Sequence, residues 1–182
     1  MAGEAISSAL LIIAAVICAG VLIIAIYPAI FTMAGTFGSA THAADQNIRT
    51  DFTIVLANYN NGLVTVYMKN VGTAQIPLAN VENSADVFIS DAEGTTGSNR
   101  LSYGSTDTTS ATLTQGSWVV YPCPLNQACI PLNQVTGNPP WIPGETLEVI
   151  AFINPALITP GDNLNFQFIL PSGVSRSTVI TT

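Results

Sequence analysis

The residues able to do chemistry are few: three cysteines, one histidine, eleven Asp/Glu and four Lys/Arg in 182 residues. Cys123 and Cys129 bracket the proline-containing loop of YPCPLNQACIP. In an exported domain such a pair suggests a local disulfide, and closing so short a loop contributes about 2 kcal/mol by chain entropy. A metal reading of the pair lacks partners, because zinc sites gather several N and S ligands and the single histidine, His42, is far along the chain. Cys18 stands inside an apolar run and reads as a small buried hydrophobe. A catalytic triad would need His42 as its base, and no nucleophile motif accompanies it. Glu145, Glu148 and Asp162 are the acids a carboxylate pair would draw on, although solvated turn and strand-edge acids are the commoner case. No CxxC, P-loop or GxGxxG motif is present. The expectation is a protein with no catalytic residue, no cofactor and no metal site, and so not an enzyme.

The same shortage of charge narrows the partners. Charged residues make up 8% of the chain, against about 25% in an ordinary soluble domain. A net charge of -7 without a basic cluster argues against nucleic acid, whose binders need phosphate-facing Lys and Arg. A hydrophobic content of 48% excludes disorder as the main state. There is no Asn-X-Ser/Thr acceptor, so an N-linked glycan is not expected.

The elements that carry these residues differ sharply between the two parts of the chain. Between Glu4 and Asp45 there is no Lys, Arg, Asp or Glu, and Ala5 to Ala34 is almost wholly apolar. About 20 apolar residues cross a hydrocarbon core of roughly 30 Å, and a soluble helix rarely stays apolar on every face for so long. A cleaved secretory signal fits poorly, because the start Met1-Ala-Gly-Glu4 holds no cation and the run exceeds the usual core of about 7–15 residues. The segment is expected to be retained in the working protein. Pro28 predicts a kink near Ala25–Pro28, and Tyr27 and Phe31 suit a bilayer edge. Ala14, Ala15, Ala19, Gly20, Ala25, Ala29, Ala34 and Gly35 either allow close helix packing or reflect alanine's helix propensity. Gly35 to Gln46 is small and polar and is expected to end the helix as a joint.

From Asp51 the period changes to two. Phe52, Ile54 and Leu56 alternate with Thr53, Val55 and Ala57, and Val64, Val66 and Met68 follow the turn Asn58–Gly62. Two alternating runs around an Asn/Gly turn predict a β-hairpin. Further strands are expected at Asp86–Ser90, Ser117–Tyr121, Glu145–Ile153, Leu164–Leu170 and Val174–Thr181. Ala92 to Gln115 is rich in Ser, Thr and Gly and reads as a solvated loop or contact surface, with an edge strand at Arg100–Tyr103. No helical period is seen beyond about residue 45. The fold class is therefore α+β: residues 1–45 as a long hydrophobic N-terminal helix with its joint, and residues 46–182 as an antiparallel β-sandwich of about 7–8 strands.

An apolar helix with an internal proline feeding a β-sandwich resembles the plan of archaeal type IV pilin-like proteins. Ala14-Ala-Val-Ile-Cys-Ala-Gly-Val-Leu-Ile23 looks like the core helix of archaellins, the subunits of the archaeal flagellum. Phe37-Gly-Ser-Ala-Thr-His-Ala-Ala-Asp45 and Arg49-Thr-Asp-Phe52 resemble the helix exit of the archaellin and FlaG family. Lys69-Asn-Val-Gly72, Pro143-Gly-Glu-Thr-Leu147 and Leu170-Pro-Ser-Gly173 resemble turns of the same sandwiches. The order of these motifs along nearly the whole chain carries the resemblance. The basic leader of archaellin precursors is not visible here, and neither is the N-glycan acceptor that archaellins often carry.

The resemblance implies a structural subunit of the archaellum that serves motility at the archaeal cell surface. It would self-associate into a helical homopolymer, sit in the membrane before assembly, and meet other archaellum or surface-layer proteins. Leu10, Leu11, Ile12, Ile13, Val16, Ile17, Val21, Leu22, Ile23, Ile24, Ile26, Ile30 and Phe31 would pack in the filament core, with the sandwich as the outer surface. Glu4, the acid before the apolar run, would gain about 0.3–1 kcal/mol from the helix dipole, or pair with the terminal amine of a neighbouring subunit, as the pilin-like resemblance implies. The alternative is a FlaG-type stationary envelope component, anchored in the membrane and binding the surface layer.

Overall fold

The uncharged N-terminal stretch folds as one helix, α1 (Ala2–Arg49), in a computed structural model of the chain. Residues 2–91, 99–105, 110, 112–125, 127–135, 137 and 139–182 are described. Two compact units divide the chain, Met1–Asp45 and Gln46–Thr182. α1 continues on both sides of Pro28. It also runs through Gly35 to Gln46, where a joint was expected. The polar side chains there bond back to their own helix: Thr36 Oγ1 donates to Met33 O at 2.8 Å, Ser39 Oγ to Thr36 O at 3.0 Å, and Thr41 Oγ1 to Phe37 O at 2.7 Å. A hydroxyl satisfied by a carbonyl one turn back does not compete with the helix, so small polar residues did not end it.

The second unit begins with a hairpin of β1 (Phe52–Asn60) and β2 (Leu63–Asn70). Asn61 and Gly62 form its turn with φ of 46° and 89°, the left-handed pair that a tight antiparallel turn requires. β3 (Ile76–Pro77), β4 (Asp86–Asp91), β5 (Asn99–Tyr103), β6 (Ser117–Cys123), β7 (Pro140–Trp141), β8 (Thr146–Phe152), β9 (Asn163–Ile169) and β10 (Ser175–Thr181) follow. Eight of them form one sheet in the order β1-β2-β8-β6-β5-β4-β9-β10, and β3 pairs with β7 separately. The pairings are antiparallel except β5 with β6, where Ser102 and Tyr103 lie opposite Ser117 and Trp118.

That parallel pair joins two antiparallel halves whose inner faces share one core. Phe52 and Trp118 come from the first half, and both meet the ring of Phe168 from the second edge-on, at 5.6 and 5.8 Å. Val64, Val66, Met68, Leu147 and Val149 are buried together with Val87, Ile89, Leu164 and Phe166. Interdigitated inner faces of two antiparallel layers make a sandwich. A smaller cluster of Leu113, Val119, Tyr121 and Ile150 covers the opposite face of β6 and β8.

Three details depart from the sequence reading. The register slips between Ile54 and Leu56, so the alternation flips there, and Leu56, expected on the face of Phe52, is 57% exposed. A bulge re-aims every later side chain of its strand. A short helix, α2 (Leu78–Ser84), follows β3 and buries Leu78 and Val81; its seven residues are too few for a helical period to register. β5 is internal rather than an edge, held by β4 on one side and β6 on the other. Of the solvated segment expected around it, residues 92–98, 106–109 and 111 lie outside the described residues.

Candidate assembly helix

Four successive residues of a helix, each rotated by about 100°, look in every direction around its axis. In α1 the four residues Leu10 to Ile13 are all large and apolar, and they are between 57% and 70% exposed. Val21 to Ile24 are likewise all large and apolar, and between 60% and 75% exposed. No polar face exists over this stretch for water to wet. Gly3–His42 is long and apolar enough to cross a membrane, and its most apolar window buries none of its residues. The expected core residues Val16, Ile17, Ile26, Ile30 and Phe31 are likewise exposed. Tyr27 and Phe31, one turn apart, hold their ring centroids 4.6 Å from each other. Glu4 lies in the first turn and Arg49 in the last, each with the sign that the helix dipole favours at its end.

The β unit receives the chain through its backbone. Arg49 O accepts hydrogen bonds from the N–H groups of Thr73 and Ala74 at 2.9 and 3.1 Å, and Asp51 O accepts from Val71 and Gly72 at 3.0 and 2.9 Å. Carbonyls at the end of a helix lack intrahelical donors, and this turn supplies them. The turn is shaped by Asn70, which is buried. Its Nδ2 donates to Trp141 O at 2.9 Å and Ala74 O at 3.1 Å, and its Oδ1 accepts from Gly72 N at 3.0 Å. The motif Lys69–Gly72 drew notice in the sequence only as a family turn. Arg176 of β10 adds an ion pair to Asp51 at 2.6 Å, a link between distant positions that no local pattern announces.

The paired cysteines and the three acids have structural partners. Cys123 and Cys129 are joined as a disulfide. Their sulfurs and a Glu148 oxygen lie within 4.8 Å of one another, but sulfurs bonded to each other have no thiolate to offer a metal. The three acids do not form a pair for proton transfer. Glu145 Oε2 accepts from Ile142 N at 3.2 Å, Glu148 Oε1 from the Tyr67 hydroxyl at 2.8 Å, and Asp162 Oδ2 from Thr159 N at 2.8 Å. The bond to Glu148 raises the pKa of Tyr67, because it stabilises the protonated phenol. Burial does the same to Tyr103 and raises the carboxyl of Glu82. Cys18 is exposed on α1 rather than buried.

The family model for archaeal-type flagellin matches residues 2–180. The chain belongs to the archaeal-type flagellin family. It is a structural subunit of the archaellum, the archaeal flagellum, whose filament stands on the cell surface and drives motility. As a family of filament subunits, archaeal-type flagellins assemble with copies of themselves.

Among the solved structures that the chain resembles are proteins of the archaellum. The archaellum periplasmic stator protein FlaG from Sulfolobus acidocaldarius is 20% identical with a TM-score of 0.48, over 71% of this chain and 98% of that one. The stator protein complex of FlaF and FlaG from the same organism gives 20% and 0.48, over 71% and 88%. The archaeal flagellum of Methanospirillum hungatei strain JF1 gives 15% and 0.49, over 97% and 92%. No curated protein matches the chain.

Proposed function

We propose that α1 is the polymerisation element of this archaellin: it lies in the membrane as a monomer and then packs with its copies in the filament core, leaving the β unit outside. The observation that carries this reading is the exposure of Leu10 to Ile13 and Val21 to Ile24 around the whole helix. Removing a large apolar side chain from water is worth about 1.5–3 kcal/mol. Lipid and neighbouring helices both provide that removal, so the helix can exchange one for the other. The side chains named from the sequence, from Leu10 to Phe31, are the ones this packing uses. The contact is heterologous, because an open helical array joins different patches of successive copies. The outer β unit then faces solvent and any archaellum or surface-layer neighbours.

The test is Ala19→Lys in the full chain. A cation at the middle of the apolar run costs at least about 2.5–3.5 kcal/mol in lipid, and a filament core of packed apolar side chains is no kinder to it. Cells carrying the variant as their only archaellin should show no filaments, while Ala19→Leu retains them. Wild-type filament number in the Ala19→Lys strain would contradict the reading.

A further inference from the structure

Glu148 and the disulfide share the outer face of β6 and β8. Within the sheet Glu148 lies opposite Tyr67 on one side and Tyr121 on the other, and Cys123 lies opposite Thr146. The carboxylate is fixed by the Tyr67 hydroxyl at 2.8 Å, and one of its oxygens is within 4.8 Å of both sulfurs. Lys69 is the outward cation on β2, in the row of Thr146 and Cys123, so it stands two strands from the sulfurs. Cys123 is buried, whereas Cys129 is half-buried and packs against the cluster of Val119, Tyr121 and Ile150.

We propose that Glu148 is an electrostatic guard that slows reduction of the Cys123–Cys129 disulfide by external thiols. Reduction starts when a thiolate attacks one sulfur in line with the bond that breaks. Cys129 is the less buried of the two residues, so its Sγ is taken as the target. A new bond forms between it and the reagent sulfur, the Cys123–Cys129 bond breaks, and the electron pair leaves on Cys123 Sγ, which then takes a proton from water. A second thiolate releases Cys129 Sγ and departs as the oxidised reagent, so two thiols become one external disulfide and the protein gains two. In the first step negative charge arrives at one sulfur and develops on a buried one, both beside a fixed carboxylate. A like charge nearby disfavours the anionic form, so the transition state is raised. The guarded bond is the one that holds Cys129 against the outer cluster.

The experiment follows reduction of the full chain in detergent by mercaptoethanesulfonate, an anionic thiol, with quenching by iodoacetamide and counting of the alkyl groups by mass. Cys18 supplies the constant background label. Gln in place of Glu148 keeps an oxygen for the Tyr67 hydroxyl and removes the charge. Glu148→Gln should speed reduction about fivefold at low ionic strength, the effect of one unit charge at this distance in a largely aqueous medium. At 1 M salt, where screening acts over about 3 Å, the difference should nearly vanish. Glu148→Asp should stay within about twofold of wild type, because it keeps the charge. Glu4→Gln, which changes the net charge equally but on α1, should leave the rate unchanged. An unaltered rate in Glu148→Gln would overturn the proposal. So would an acceleration that persists at 1 M salt or appears in Glu148→Asp, since either points to a loosened loop instead of a lost charge.

Discussion

Gly72 lies against the backbone of Arg49 so closely that a Cβ on it would stand 2.2 Å from the Arg49 carbonyl oxygen and 2.6 Å from Asp51 N. Both neighbours are main chain, and neither can swing aside as a side chain tip would. The glycine is what lets the turn after β2 donate its N–H groups to the end of α1. Gly72→Ala should therefore destabilise the β unit by about 2–3 kcal/mol, as overpacking of a fitted site does, read as a lowered denaturation midpoint. A loss below about 0.5 kcal/mol, the usual effect of a surface change, would show that the turn is softer than this.

Asn70 and the Asp51–Arg176 pair offer a contrast at the same joint. Asn70→Ala removes three hydrogen bonds from a buried site and should cost about 2–4 kcal/mol, because the Trp141 and Ala74 carbonyls lose their side-chain donor. Arg176→Ala removes an ion pair whose side chains are 46% and 40% exposed and should cost no more than about 1 kcal/mol, with less at high salt. Chemical denaturation of the two variants ranks them. Equal losses would refute the division between buried and exposed contributions.

The bulge in β1 makes Leu56 and Phe166 a second contrast. Leu56→Ser should change stability of the isolated β unit by about 0.5 kcal/mol or less, although strict alternation would have placed the leucine in the core. Phe166→Ala, at a fully buried position, should cost about 3–5 kcal/mol. A large loss at Leu56 would mean that the register of β1 is not the one described.

Stability should fall as pH rises past about 10, the ordinary tyrosine value. The folded pKa of Tyr103 is raised, chiefly by burial and secondly by Glu82. Above pH 10 the unfolded tyrosine loses its proton while the folded one keeps it. The native state then binds more protons than the unfolded state, and the free energy of unfolding declines with pH. Denaturation midpoints of wild type and Tyr103→Phe between pH 9 and 12 give the measurement, with a shallower decline expected for the variant. Identical slopes would remove Tyr103 from the explanation.

What could be read from the residues, and what could not, divides by range. The absence of charge between Glu4 and Asp45 made α1 visible, because a long uncharged apolar run has few other fates. Asn61-Gly62 announced its hairpin through local turn chemistry. The end of α1 was misplaced, since Gly35, Gly38 and Ser39 look like terminators until the hydroxyls of Thr36, Ser39 and Thr41 are seen bonded within the helix. β5 looked like an edge because nothing in Asn99–Tyr103 reveals that β6 pairs with it in parallel. Asn70, Gly72 and Glu148 act through partners distant in sequence: Trp141, Arg49 and the two cysteines. Spacing alone does not encode such meetings.

A chain lacking residues 1–45 decides whether α1 builds the filament and the β unit only clothes it. Residues 46–182 should sediment as a folded monomer and show no fibres by negative-stain microscopy, under conditions in which the full chain forms filaments. Long filaments from the truncated chain would contradict it, because contacts between β units would then suffice for assembly.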